Sequence, residues 1–252
     1  MTDINSPQNP RLKALKRLAT RRERARSGRF AVEGEDLVSA AHDAGRSAIE
    51  GYRVAGSGLG DERFHDVDEA VLRSVSTLGS GTRVIGVYKQ LWGAVAGPLC
   101  VYLHGVGDPG NVGTIVRSAH AFGASCVALG PGCADPHSPK AIRASMGSIF
   151  AVALARVRDV AELPGERVAL SADAEDVLAG GPDAGAATSG LTLLIGAERD
   201  GLPRELLDAC ERRARIPIAA ESLNAAMAAT VALYEVTRGR DGAPGSSRVR
   251  TR

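Results

Sequence analysis

"GVGDPGNVGTIVRSAHAFG" (Gly105–Gly123) is the stretch whose reading decides the fold. Its first six residues spell G-x-G-x-x-G, the turn that cradles a dinucleotide pyrophosphate between a strand and a helix. A dinucleotide site needs free N–H groups in that turn. It also needs an acidic residue ending the next strand, about 20 residues on, to hold the ribose hydroxyls. Pro109 has no N–H, and its ring restricts Asp108. The next strand candidate, "CVALG", runs into Gly130-Pro131-Gly132, and the nearest acid, Asp135, falls in a loop. A nicotinamide enzyme is thereby disfavoured. The same stretch carries a second pattern, Asn111-x-Gly113-x-x-x-Arg117. Asn111 is a cap for the coming helix, and Gly113 allows close backbone approach. Arg117 lies one turn further, facing the crevice at the carboxyl end of a strand, where open α/β sheets bind ligands.

Working outward, "LCVYLHGV", "CVALG", "FAVALARV", "RVALSA", "LTLLIG" and "RIPI" read as strands, and helical stretches separate them. Ser138 with Pro139 starts one helix, Pro203 starts another, and Ser222 is the expected N-cap of the Ala-rich "SLNAAMAATVALYEVTRGR". This alternation predicts an α/β fold with a parallel sheet covered on both faces. Upstream, Leu12, Leu15 and Leu18 recur at helical spacing. "GEDLVSAAHDAG" and "DVDEAVLRSV" read as helices, and "GYRVAG" and "RVIGVYK" as strands, giving a small α/β module. "QLWGAVAGP" has no period and marks a junction. The expected domains are 1–92, 98–240 and a flexible tail at 241–252.

The net charge of +2 hides a polarised chain. Arg11, Lys13, Lys16, Arg17, Arg21, Arg22, Arg24, Arg26 and Arg29 crowd one short run with a single acid, Glu23. A polyanion, RNA before DNA, is its natural partner. Cys100, Cys126, Cys133 and Cys210 show neither C-x-x-C spacing nor a nearby His, which argues against a metal site and a disulfide framework. There is no apolar run of about 18 residues, the length a membrane span requires. The expectation is a soluble, cytoplasmic protein with no membrane and no metal partner.

Three strand ends converge in this reading: "DPGNVGTIVRSAHAFG", "LLIGAERDGLP" and "IPIAAESLNAAMAATVALYE". In order and spacing across residues 99–238 they resemble motifs 1, 2 and 3 of the SpoU (TrmH-like) ribose 2′-O-methyltransferases, within the SPOUT superfamily. The N-terminal module, with "GRFAVEGEDLV", resembles the substrate-binding domain that many members carry.

The resemblance implies a parallel sheet with a deep C-terminal trefoil knot, preceded by a small α/β RNA-binding domain. It implies an enzyme that uses S-adenosylmethionine to methylate a ribose 2′-hydroxyl in RNA, ribosomal RNA favoured over tRNA, and that acts as a homodimer. Carried onto this chain, Ile195, Gly196, Ile216, Ile218 and Leu223 are the cofactor-binding candidates. Arg117, Asn111, Glu198, Ser222 and Asn224 are the catalytic ones. In this scheme Glu198 orients Asn111 or the motif 3 loop, and Ser145 and Gly147 line the site. Arg11, Lys13, Lys16, Arg17, Arg21 and Arg22 are the RNA-binding candidates. The motif 3 loop, "AAE", is shorter than in many members. An RNA-binding or ribosome-assembly protein of the same fold without activity is the alternative, as is a tRNA 2′-O-methyltransferase.

Overall fold

The structure, a computed structural model, describes residues 4–179, 190–220 and 222–238. The expected tail at 241–252 lies outside the described residues, as does Glu221 of the motif 3 loop. Two compact units divide the described residues. One takes those of Met1–Trp92, Val112–Arg117 and Asp135–Ala151, the other those of Gly93–Asn111, Ser118–Ala134 and Val152–Arg252.

In the first unit the basic run is split into two short helices, α1 (Pro10–Arg17) and α2 (Arg21–Ser27). The Asn9 side chain accepts from the Arg11 amide, and Pro10 sits where no helical N–H partner is needed. Thr20 caps α2, which stops at Gly28, a residue in the left-handed region at φ 65°. Leu12, Leu15 and Leu18 are buried, as their spacing predicts. After α2 come β1 (Arg29–Glu33), α3 (Glu35–Asp43), β2 (Glu50–Val54), β3 (Phe64–Val67), α4 (Glu69–Val75) and β4 (Val84–Lys89). The four strands form a mixed sheet in the order β1-β4-β2-β3, with only β2 and β3 parallel. Helix α4 is shorter than "DVDEAVLRSV" suggests: Asp66 and Val67 belong to β3, and Asp68 is the cap.

Beyond the junction the chain runs β5 (Leu99–Leu103), α5 (Pro109–Ala121), β6 (Cys126–Leu129), α6 (Pro139–Ser145), β7 (Ala153–Arg156), β8 (Glu166–Leu170), β9 (Leu191–Ile195), α7 (Arg204–Asp208), β10 (Arg212–Ala214) and α8 (Ala225–Thr237). The second unit holds a six-stranded, fully parallel sheet in the order β10-β8-β9-β5-β6-β7. Strands β5 and β9, at its centre, are buried at every position, which is why they read as unbroken apolar runs. Each such side chain is worth about 1.5–3 kcal/mol on burial.

Several local expectations need correction. Asn111 does not cap α5; Asp108 does, its carboxylate accepting from the Asn111 amide at 3.0 Å, because Pro109 starts the helix two residues earlier. That carboxylate occupies the helix end where a pyrophosphate would be drawn. Ser222 does not cap α8; Asn224 does, accepting from Ala226 and Met227. The strand placed at "RIPI" is instead Arg212–Ala214, because pairing with β8 sets its register.

Candidate active site

The carboxyl ends of β8 and β9 and the loop before α8 enclose a cavity of about 360 Å³ in the second unit. All five cofactor-binding candidates line it: Ile195, Gly196, Ile216, Ile218 and Leu223. Gly196 follows β9 directly. A Cβ there would collide with the backbone of Gly201, so the loop closes tightly only on glycine. Ala197 and Gly201 pair through both backbone N–H groups, at 3.1 and 3.0 Å, which fixes that closure. Ile218 stays 39% exposed, an apolar wall presented to the cavity rather than to a core.

Glu198 and Ser222 also line the cavity. A side-chain relay joins the three motifs beside it. Asn224 Nδ2 donates to Asn111 Oδ1 at 3.1 Å, and Asn111 Nδ2 donates to Glu198 Oε1. The direction of each bond is determined by its ends. Glu198 as a carboxylate only accepts, and the Ala226 and Met227 amides that hold Asn224 Oδ1 only donate. Both carboxamides therefore have one orientation that satisfies every partner. Below the relay, Ser118 of α5 and Thr230 of α8 share a hydroxyl bond of 2.6 Å.

Arg117 lies six residues after Asn111 on α5, is exposed, and has no hydrogen-bond or ion-pair partner among the described residues. It does not line the cavity. Neither do Ser145 and Gly147. The Ser145 hydroxyl bonds to the Ile142 carbonyl at 2.8 Å, and Gly147 abuts Ala40 in the first unit. The C-terminal end of β8 was missed: Leu170, Ser171, Ala172 and Asp173 form a wall of the cavity. Their only signal was a strand end, and which strand ends meet is a matter of sheet order. His104, next to β5, is held by its amide to the Ile195 carbonyl at 2.9 Å, and burial lowers its pKa.

The basic run is not uniform. Lys13, Lys16, Arg17, Arg21 and Arg22 are exposed and have no ion-pair partner among the described residues. Arg11 instead reaches Glu50 at 3.2 Å and His65 at 3.1 Å. Arg26 is paired with Glu23 at 2.6 Å. Arg24 is buried, donating to Asp135 at 2.7 Å and to the Leu18 and Ala19 carbonyls at 2.8 Å. It is therefore a structural residue rather than part of a polyanion surface. Among the described residues no group of three or more His, Cys, Asp or Glu side chains could hold a metal ion. None of their helices is long and apolar enough to cross a membrane.

The SpoU rRNA Methylase family matches residues 98–234, and the MRM3-like substrate binding domain matches residues 9–90. The chain is 28% identical over 250 residues to the 23S rRNA (guanosine(2553)-2′-O)-methyltransferase RlmP of Bacillus subtilis, covering 94% of this chain and 99% of that one. Its fold is similar to that of the AdoMet-bound rRNA methyltransferase from Sinorhizobium meliloti, with TM-score 0.81, 30% identity, and coverage of 93% of this chain and 96% of that one. It is also similar to the SpoU methyltransferase AviRb from Streptomyces viridochromogenes in complex with AdoMet, with TM-score 0.80, 26% identity, and coverage of 92% and 98%.

Proposed function

The chain belongs to the SpoU rRNA methylase family, and from that premise we propose that it methylates a ribose 2′-hydroxyl of RNA, with ribosomal RNA as the substrate class and S-adenosylmethionine as the methyl donor. The observation that carries this is the Asn224–Asn111–Glu198 relay beside the cavity. It joins all three motifs through side chains that no core requirement explains.

The cavity suits that donor. Its aliphatic walls, Ile195, Ile216, Ile218 and Leu223, match a purine face, and three acids, Asp173, Glu198 and Asp200, outnumber the one lining cation, Arg199, which favours a cationic ligand. When bound, S-adenosylmethionine supplies a methyl group on a sulfonium, which leaves as a neutral thioether. Alignment is then most of what the protein contributes. A guanidinium offers only N–H donors, so Arg117 acts as a donor and not as a base. In this mechanism it holds the target phosphate and stabilises charge growing on the 2′-oxygen, while the hydroxyl proton passes to phosphate or solvent. Asn111, Asn224 and Ser222 position the ribose, and Glu198 keeps Asn111 in its working orientation.

A homodimer completes the proposal. Met227, Val231 and Tyr234 are 60%, 41% and 54% exposed, at helical spacing along one face of α8. Such a stripe fits a second copy of the chain, and Arg117 of one protomer would serve the cofactor of the other. Sedimentation of Val231→Glu should give monomers where the wild type gives dimers. The trefoil knot, the division at residues 92–98 and a cytoplasmic location belong to the same proposal.

The direct test is methyl transfer from labelled S-adenosylmethionine to protein-free ribosomal RNA and to bulk tRNA, with wild type and Arg117→Ala. Label appearing as 2′-O-methylribose in ribosomal RNA, and lost in the variant, is the expected result. Label in tRNA alone would reassign the substrate. Absence of cofactor binding would overturn the reading.

A further inference from the structure

The first unit contains a second recess, about 340 Å³, far too small for a helix of RNA but within the range of small-ligand sites. The end of α3, the "GSGLG" loop (Gly56–Gly60) and Tyr88 of β4 surround it. Tyr88 is 3% exposed. Its ring is held by Phe30 at 6.0 Å and Phe150 at 5.5 Å. Tyr88 lines the recess, and its hydroxyl has no hydrogen-bond partner among the described residues. A hydroxyl without a protein partner is free to donate to, and accept from, a ligand in the recess. Burial pushes this phenol up to about 12, so it presents an O–H at any working pH.

Gly58 and Gly60, at φ 67° and 75°, also line the recess; both are exposed, and their amides make no hydrogen bond within the described residues. The lining acids are already neutralised: Glu35 by Arg83 at 3.0 Å, and Asp61 by Arg63. Arg46 is left without a partner among the described residues, on an exposed rim with His42. A ligand with several donors and acceptors, a flat body and a negative charge fits these groups. A nucleotide has all three, and the same unit carries the exposed basic residues of α1 and α2.

We propose that this recess receives one unpaired nucleotide of the substrate RNA, its base edge hydrogen-bonded to the Tyr88 hydroxyl and the glycine-loop amides, its phosphate against Arg46. A base inside a duplex cannot enter, so the recess reads a looped-out or single-stranded position. This rests on the reading of the protein as an RNA enzyme and adds a specificity site to it.

The test uses the full-length protein and fluorescence anisotropy with a labelled single-stranded RNA dodecamer and the same dodecamer as a duplex. Tyr88→Phe removes one hydroxyl and keeps the ring. It should weaken single-strand binding roughly fivefold, the value of one neutral hydrogen bond, and leave duplex binding within about twofold. Arg46→Ala should weaken single-strand binding by a similar factor, and Leu59→Trp, which fills the recess, should match or exceed both. An unchanged unfolding midpoint for Tyr88→Phe separates this from misfolding. If all three variants bind the single strand like wild type while wild-type RNA binding and methyl transfer stand, the recess proposal alone fails. If the wild type binds neither RNA, both it and the functional reading fail. If AMP, CMP, GMP or UMP binds with Tyr88-dependence but the variants leave RNA binding unchanged, the recess serves free nucleotides and the proposal is overturned.

Discussion

Asn224 Nδ2 donates to Asn111 Oδ1 at 3.1 Å, across 113 residues of sequence, while its own Oδ1 caps α8. One carboxamide thus starts a helix and orients a second carboxamide, which in turn donates to Glu198. Asn111→Asp would keep the acceptor for Asn224 but replace the donor to Glu198 with a second carboxylate, so that like-charge repulsion breaks the relay there. Turnover should fall about 100-fold or more, the scale of losing one oriented polar group, with cofactor affinity changed much less. Single-turnover methyl transfer alongside calorimetric cofactor titration separates the two. Asn224→Ala should in addition cost about 1 kcal/mol of stability from the lost cap, visible in urea unfolding.

The Arg117 side chain is exposed and makes no hydrogen bond or ion pair among the described residues. Arg117→Ala should leave unfolding within about 0.5 kcal/mol of wild type and abolish most methyl transfer. Arg117→Lys keeps the charge and loses the planar fork, so its rate should lie between the two. A destabilised Arg117→Ala with normal turnover would assign the residue to packing.

Two glycines mark close approaches. A Cβ on Gly196 would meet the Gly201 backbone, and one on Gly113 would meet the Ala141 carbonyl oxygen. Neither neighbour is a side chain that can swing aside. Each Gly→Ala change should destabilise by roughly 1–3 kcal/mol, as overpacking does. Gly196→Ala should also weaken S-adenosylmethionine binding, whereas Gly113→Ala should affect it less, measured by titration below the unfolding midpoint.

Burial opposes ionisation of Asp135, but hydrogen bonds from His137 and Arg24 outweigh it and hold the carboxyl below its ordinary range. A depressed folded pKa stabilises above the unfolded value of about 3.9, and that stability is lost as pH falls toward the folded pKa. Acid unfolding of the wild type should therefore steepen below about pH 4, and Asp135→Asn should flatten that limb. Arg24→Ala, which strands a buried carboxylate, should cost about 3–5 kcal/mol at neutral pH. It should do so without lowering the salt dependence of RNA binding.

The exposed cations of α1 and α2 should behave in the opposite way. Charge removal at Lys13, Lys16, Arg17, Arg21 or Arg22 should leave folding unchanged. Each residue that meets a phosphate should reduce the slope of log affinity against log salt by about 1. Arg11, already paired with Glu50, should contribute less. Anisotropy titrations between low and moderate salt read this directly.

Much of this protein was legible in its sequence because the deciding chemistry is local. The apolar runs of β5 and β9, the Ser138-Pro139 helix start and the buried face of Leu12, Leu15 and Leu18 follow from periodicity and capping. Three ordered motifs also gather the cavity-lining residues Ile195, Gly196, Ile216, Ile218 and Leu223. Where two local solutions are nearly equal, only tertiary structure chooses. Ser222 and Asn224 are equally good caps, and Asn224 caps because Asn111 lies within reach of its amide. Arg24 belongs to a run of solvated cations by composition, and a carboxylate 111 residues away buries it. Strand order, and with it the arrival of Asp173 at the cavity, depends on which apolar faces cover one another, a long-range property that no window of sequence contains.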